Sequence, residues 1–304
     1  MYNTCAFLCA FASLRETYLF KGNNEMILDA HTHIFPPEVC RRREDFFADE
    51  PAFRLLYESP KSKLVGPDEM VAALDQEDVA AAVALGFPWR QERLWRRQHE
   101  VLLEAQRRWP QRLIAFCAVH PLEPAAAREV ERCLAAGFRG VGELAWYLED
   151  MGEDLPTYLA PIAELCQHYR VPLMLHINDP VGHDYPGKGT ISLPAVYRLI
   201  RDFPEVDWIL AHWGGGLPFY GLMKKEAPEV YQRVYFDTAA SPYLYRPEIY
   251  RLAAEMVGPE KVLFGSDYPL LPVSRYLKDM EAAGLSEQWR EMILVGNLAR
   301  LLGF

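Results

Sequence analysis

The sequence predicts a single-domain, eight-stranded parallel (β/α)8 TIM barrel, on three observations. Short apolar runs alternate eight times with longer segments, many of helical period; the runs lack the polar alternation of half-exposed strands; and the pattern fills residues 26–304, the length of one barrel.

The first run, residues 27–32, starts directly after Met26. The other seven fall at 79–86, 113–119, 140–145, 172–177, 206–212, 234–238 and 262–266, each bounded by Gly, Pro or Asp. Helical period fills 91–108, 124–136, 161–169, 193–203 and 247–257 between them. Several of these segments have Pro in the first turn, and one ends just before Gly137, the usual asymmetry of helix ends. An open doubly wound sheet would need fewer strands and a phosphate-binding glycine turn early in the chain. The G-x-G-x-x-A match from Gly140 to Ala145 lies within a strand and opens no helix, while Gly214-Gly-Gly216 suits either a tight turn or an anion. No G-x-S-x-G elbow is present, which disfavours a serine hydrolase.

Residues 1–25 carry an apolar run from Cys5 to Ala12 with no basic residue before it, too short to span a bilayer and unlike a secretory signal. They are expected to be a disordered tail or an extension ahead of a true start at Met26. With 32 Lys and Arg against 42 Asp and Glu, the net charge of −10 gives no attraction to nucleic acid or anionic membranes, so the expected partner is a small molecule. The six cysteines show no C-x-x-C spacing and read as free thiols in a reducing cytoplasm.

Histidine placement points to the chemistry. His31 and His33 end the first strand, and residues two apart on a strand face the same way. A lone H-x-H is weak evidence, but the pattern recurs: Glu143 closes the fourth run, His176 the fifth, His212 the sixth and Asp267 the eighth. An ionisable group after an apolar run is costly to bury unless it is paired, hydrogen-bonded or bound to metal. In a barrel these strand ends converge on one face, so a single metal site accounts for all of them. His120 reads as structural, and His99, His168 and His183 fall on helical or loop positions without a catalytic role. The longest irregular stretches, 35–66 and 178–190, follow the first and fifth strands and so stand over the same face.

The ordered set Asp29-Ala-His31-Thr-His33, Gly142-Glu143, His176, His212 and Gly265-Ser-Asp267-Tyr-Pro, with Gly296-Asn-Leu-Ala-Arg near the end, resembles the amidohydrolase superfamily. Within it, the chain is most similar to the amidohydrolase 2 branch of metal-dependent hydrolases, which also contains aminocarboxymuconate-semialdehyde decarboxylase and related decarboxylases. The resemblance implies a divalent metal, usually zinc, held by His31, His33, His176 and Asp267, with His212 as catalytic or second-metal histidine. Many two-metal members bridge their ions with a carboxylated Lys on strand four; no Lys lies there, and Glu143 is the residue that could bridge, so one or two ions remain open. The resemblance alone also suggests a homodimer.

A bound metal of this kind lowers the pKa of its water to about 7, and Asp267 could take that proton while His212 polarises the scissile carbonyl. Hydrolysis of an ester, lactone or amide is the leading expectation; the alternative is non-oxidative decarboxylation of a small aromatic or unsaturated carboxylic acid, with His212 or Asp267 handling the proton. Arg246 or Lys188 could then grip a second carboxylate. Trp146, Tyr147, Trp213 and Tyr268 are candidate substrate walls. A barrel that binds metal without catalysis fits poorly, because every expected ligand position is filled.

Overall fold

The apolar runs form one sheet of eight strands in chain order: β1 (Ile27–His33), β2 (Val79–Leu85), β3 (Leu113–Cys117), β4 (Gly140–Leu144), β5 (Leu173–Leu175), β6 (Trp208–Leu210), β7 (Val234–Asp237) and β8 (Val262–Leu263). Every neighbouring pair is parallel. The ring closes where Ala30 donates to the Phe264 carbonyl at 2.7 Å, Asp267 to the His31 carbonyl at 2.8 Å and His33 to the Tyr268 carbonyl at 2.8 Å. This is the expected (β/α)8 barrel, in a computed structural model that describes residues 26–304; the tail expected at residues 1–25 lies outside the described residues.

Two apolar layers hold it. Leu28, Val83, Ile114, Phe116, Met174 and Ile209 pack inside the ring, joined by Leu298 and Leu302 of the last helix, Asn297–Leu302. The outer faces of the strands pack against surrounding helices, such as Glu92–Arg108, which buries Leu94, Trp95, Val101 and Leu102 and turns its arginines to solvent. Among the described residues no helix is long and apolar enough to cross a membrane, and Cys40, Cys117, Cys133 and Cys166 are free.

Three local expectations need correction. Pro161 does not open a helix; it sits inside Leu155–Tyr169, whose first turn contains Pro156. The hydrogen bond Pro161 cannot make leaves the Thr157 carbonyl on an exposed stretch where water can serve it. The stretch 35–66 is not irregular throughout, since it holds the short helices Pro37–Arg41 and Pro51–Tyr57. The strands of the second half are also shorter than their apolar runs, down to two residues in β8. Their C-terminal ends leave the ladder: His212 and Asp267 both take the left-handed conformation at φ 56°. Apolar content beyond the ladder continues into the turns that aim side chains at the barrel mouth.

Candidate metal centre

Six side chains from five strand ends meet at the mouth. His31 Nε2 lies 3.1 Å from His33 Nε2, 3.6 Å from a Glu143 oxygen and 3.7 Å from Asp267 Oδ1. Asp267 Oδ1 is 3.3 Å from His33 Nε2. On the other side, His176 Nδ1 is 3.0 Å from Glu143 Oε1 and 3.2 Å from His212 Nε2. The residues predicted as ligands, His31, His33, His176, Glu143 and Asp267, are thus brought together with His212, and overlapping triplets of their donor atoms lie within 4.8 Å of one another.

The local chain explains how they get there. Alternation along β1 sends His31 and His33 to the same side. Glu143 follows Gly142, whose φ of +129° and contact with the Met174 backbone leave no room for a Cβ. After His212 the chain turns through left-handed Trp213, Gly214 and Gly215, and a side chain at Gly215 would strike the Asn178 carbonyl. The glycine run is therefore a tight turn in this structure.

The outward nitrogens of three imidazoles are pinned by acceptors. His31 Nδ1 faces Asp237 Oδ2 at 2.8 Å, His212 Nδ1 faces the Ala239 carbonyl at 3.1 Å, and His176 Nε2 faces the Gly187 carbonyl at 3.0 Å. A carbonyl or carboxylate can only accept, so each of these nitrogens carries hydrogen, and each neutral ring turns its lone pair into the cluster. Lone pairs and carboxylate oxygens then face each other with no donor among them. That is the chemistry of a cation site, and imidazole with carboxylate suits several divalent ions.

The proton affinities carry the same message. Burial opposes a charged ring at His31, but the carboxylates of Glu143, Asp237 and Asp267 carry its pKa up to about 10. His212 is raised despite burial, chiefly by Glu143. Burial acts to raise Glu143, but the surrounding histidines hold it well below the usual carboxylate range; Asp267 is lowered in the same way. Without an ion the cluster gathers protons, and a bound cation displaces them.

Asp237 is the residue the sequence reading missed. It is fully buried; one oxygen takes the His31 Nδ1 hydrogen, and the other accepts from the backbone N–H of His212 at 2.9 Å and of Ala239 at 3.0 Å. One carboxylate thereby fixes both the ring of His31 and the turn that presents His212. Its signal was an acid closing the apolar run of the seventh strand, the same signal that marked Asp267. Asp29 braces the opposite seam, one oxygen accepting from His31 and Ser266 N–H at 3.0 Å each.

The expected substrate walls divide. Tyr147 stands edge-on to His176, ring centroids 5.1 Å apart, at the mouth. Trp146 is buried in the core behind it. Trp213 is not a wall: it is fully buried, donates to Ser241 Oγ at 2.6 Å and packs on Tyr250. The left-handed turn after His212 rotates it away from the cluster. Tyr268 is half-buried, and its phenol is pushed up by burial and by the charges of Glu69 and Glu77. The suggested cations are also engaged elsewhere. Lys188 reaches Asp179 at 3.2 Å and the Val181 carbonyl at 2.8 Å, and Arg246 is 87% exposed with Glu248 at 3.9 Å.

The family described as Amidohydrolase matches residues 28–304. Gamma-resorcylate decarboxylase of Polaromonas sp. strain JS666 is 26% identical over 279 residues, covering 78% of this chain and 83% of that protein. The fold is shared with 5-carboxyvanillate decarboxylase from Sphingomonas paucimobilis, at TM-score 0.71 and 19% identity over 91% of this chain and 98% of that one. It is shared also with a dihydroxybenzoic acid decarboxylase from Polaromonas sp. JS666, solved with bound manganese and 2-nitroresorcinol, at TM-score 0.68 and 20% identity over 91% and 97% of the two chains.

Proposed function

The chain belongs to the amidohydrolase family, and from that premise we propose that it is a metal-dependent, non-oxidative decarboxylase of a small aromatic carboxylic acid. The observation that carries this reading is the likeness, over 78% of this chain and 83% of the other, to gamma-resorcylate decarboxylase of Polaromonas; the lone-pair-lined cluster at the mouth supports the metal dependence. Decarboxylation thereby takes precedence over the hydrolysis expected first. Manganese takes precedence over zinc because a structural neighbour carries it; the imidazole and carboxylate set accommodates either ion.

His31, His33, His176 and Asp267 would hold the ion, with Glu143 beside them. When bound, the ion supplies the positive charge that anchors the carboxylate to be lost. Loss of CO2 from an aryl carboxylate requires the ring carbon to take up a proton. The carbon–carbon bond then breaks with its electron pair returning to the ring, so that ArCO2− and H+ become ArH and CO2. His212 is the group placed to give that proton. Its Nδ1 hydrogen is fixed on the Ala239 carbonyl, so exchange occurs at Nε2, which faces the cluster. Glu143 at 3.5 Å favours the charged ring. Asp267, held as an anion by the histidines around it, keeps that charge balanced.

Manganese-loaded and zinc-loaded protein, incubated with hydroxybenzoates and separately with aryl esters and lactones, tests the assignment by measured CO2 release and hydrolysis. Release of CO2 with at least one carboxylate is expected. Ester or lactone hydrolysis without any CO2 release would falsify it and restore the hydrolase.

A further inference from the structure

Three acceptors hold the outward nitrogens of the cluster, and two of them belong to the end of β7: Asp237 closes the strand and Ala239 follows by two residues. The third, the Gly187 carbonyl, lies eleven residues beyond His176 on a loop with no helix or strand of its own. A carbonyl on such a segment needs a support that the barrel ladder does not give.

The outer part of the loop is clipped to itself. Lys188 Nζ donates to the Val181 and His183 carbonyls at 2.8 and 3.3 Å and pairs with Asp179 at 3.2 Å. The Tyr185 hydroxyl donates to the same carboxylate at 3.3 Å. These bonds give the loop a shape without fixing it to the strand it leaves.

Asn178 makes that connection. It is buried, and its amide pairs with both backbone groups of Gly189: Nδ2 donates to the carbonyl at 3.0 Å and Oδ1 accepts from the N–H at 3.0 Å. Nδ2 also faces the Asp179 carbonyl at 3.2 Å, so the amide cannot be turned over without setting its oxygen against two carbonyls. Two rungs therefore close the loop side by side, His176 on Gly187 and Asn178 on Gly189. The returning segment has little slack, because a Cβ at Gly189 would come to 3.2 Å from the Trp146 carbonyl. On its other side the Asn178 backbone abuts Gly215. Asn178 thus stands where the segments after β4, β5 and β6 meet, the strands whose ends present Glu143, His176 and His212.

We propose that Asn178 is a positioning residue for the metal centre: by pairing with Gly189 it keeps the Gly187 carbonyl on His176 Nε2, and so keeps the ring turned with Nδ1 toward the ion. The role rests on the metal dependence proposed above, whichever reaction the ion serves.

Cobalt(II) loading tests it, because the visible absorption of the bound ion reports the ligands around it. Asn178→Ala and the milder Asn178→Ser are compared with the unsubstituted protein and with Lys188→Met, which loosens only the outer clip. Both Asn178 variants are expected to fold by circular dichroism, to bind cobalt about 10-fold more weakly by chelator competition, and to show an altered spectrum. Lys188→Met should keep both the affinity and the spectrum. Unchanged affinity and spectrum in a folded Asn178 variant overturn the role, as does an equal change in Lys188→Met. Loss of the fold in both Asn178 variants overturns it too, since the residue would then support the barrel as a whole. Absence of stoichiometric cobalt from the unsubstituted protein removes the metal dependence and this role together, whereas a filled site indifferent to Asn178 removes the role alone.

Discussion

Two buried clusters in this protein combine histidine with a carboxylate, and they differ in where their protons point. At the barrel mouth, His31, His176 and His212 have their outer nitrogens on acceptors and their lone pairs turned inward. Against the barrel wall, His99 has both nitrogens on acceptors, Glu129 Oε1 at 2.7 Å and the Ala118 carbonyl at 3.0 Å. Its ring therefore carries two hydrogens and one charge, which Glu129 balances while also accepting from Arg132. Cys133 completes a triplet whose donor atoms are as close as those at the mouth. Proximity of donor types is the same in both places. Only the mouth leaves lone pairs unmet, and that difference separates a place for a cation from a structural ion pair.

The sharpest way to break this contrast is to remove an inward lone pair. His31→Ala should abolish stoichiometric metal binding, measured by elemental analysis after gel filtration. CO2 release should fall by about 1000-fold, roughly 4 kcal/mol of barrier. Retention of both metal and activity would place the ion elsewhere.

A smaller effect is expected one step back. Asp237→Asn keeps the shape, but a side-chain amide cannot accept from His31 and from the His212 and Ala239 N–H groups with both ends at once. Metal affinity should drop about 10- to 100-fold, read by competition with a chromophoric chelator, with the fold intact by circular dichroism. An unchanged affinity would mean that the His31 tautomer is set by something other than Asp237.

The smallest effect belongs to the wall cluster and leaves metal content untouched. Against the penalty of burial, Cys133 and Glu129 raise the His99 pKa to about 9. Burial works against the Glu129 anion too, yet Arg132 and His99 bring it down to about 2. A raised histidine stabilises the fold fully below its unfolded pKa of about 6.5 and loses that contribution as pH rises through 9. A lowered glutamate contributes above about 4.5 and loses its contribution as pH falls through 2. His99→Gln should therefore lower stability by about 1–2 kcal/mol at pH 5–6. The gap in Tm to the unsubstituted protein should narrow between pH 6.5 and 9. A gap constant across that range would show that His99 is not charged in the fold.

Much of this was legible in the chain because burial of a charge is visible in one dimension. His176, His212 and Asp267 each interrupt an apolar run at its end, and the barrel's parallel topology sends such ends to one face. Asp237 gave the same signal, yet lay outside the motif that drew the eye. Trp213 misled because neighbours in sequence share a face only if the backbone between them is regular, and the left-handed turn there is set by tertiary contacts. The helix Pro51–Tyr57 gave no signal, because it sits in a stretch whose period is too short to read and its rings are placed by contacts with Phe35 and Phe87 that no local pattern records.

Surface loops usually absorb insertions and deletions freely, which is how barrel enzymes diversify. The segment between β5 and the helix Leu193–Asp202 lacks that freedom, because the Gly187 carbonyl is the acceptor that orients His176. Tyr147, edge-on to His176, lies beside the same glycine. A change in the length of this loop would move the hydrogen-bond partner of His176 together with the contact to Tyr147 beside it. New specificity in this lineage should therefore arise by replacing side chains around a loop of fixed length, not by lengthening or trimming it.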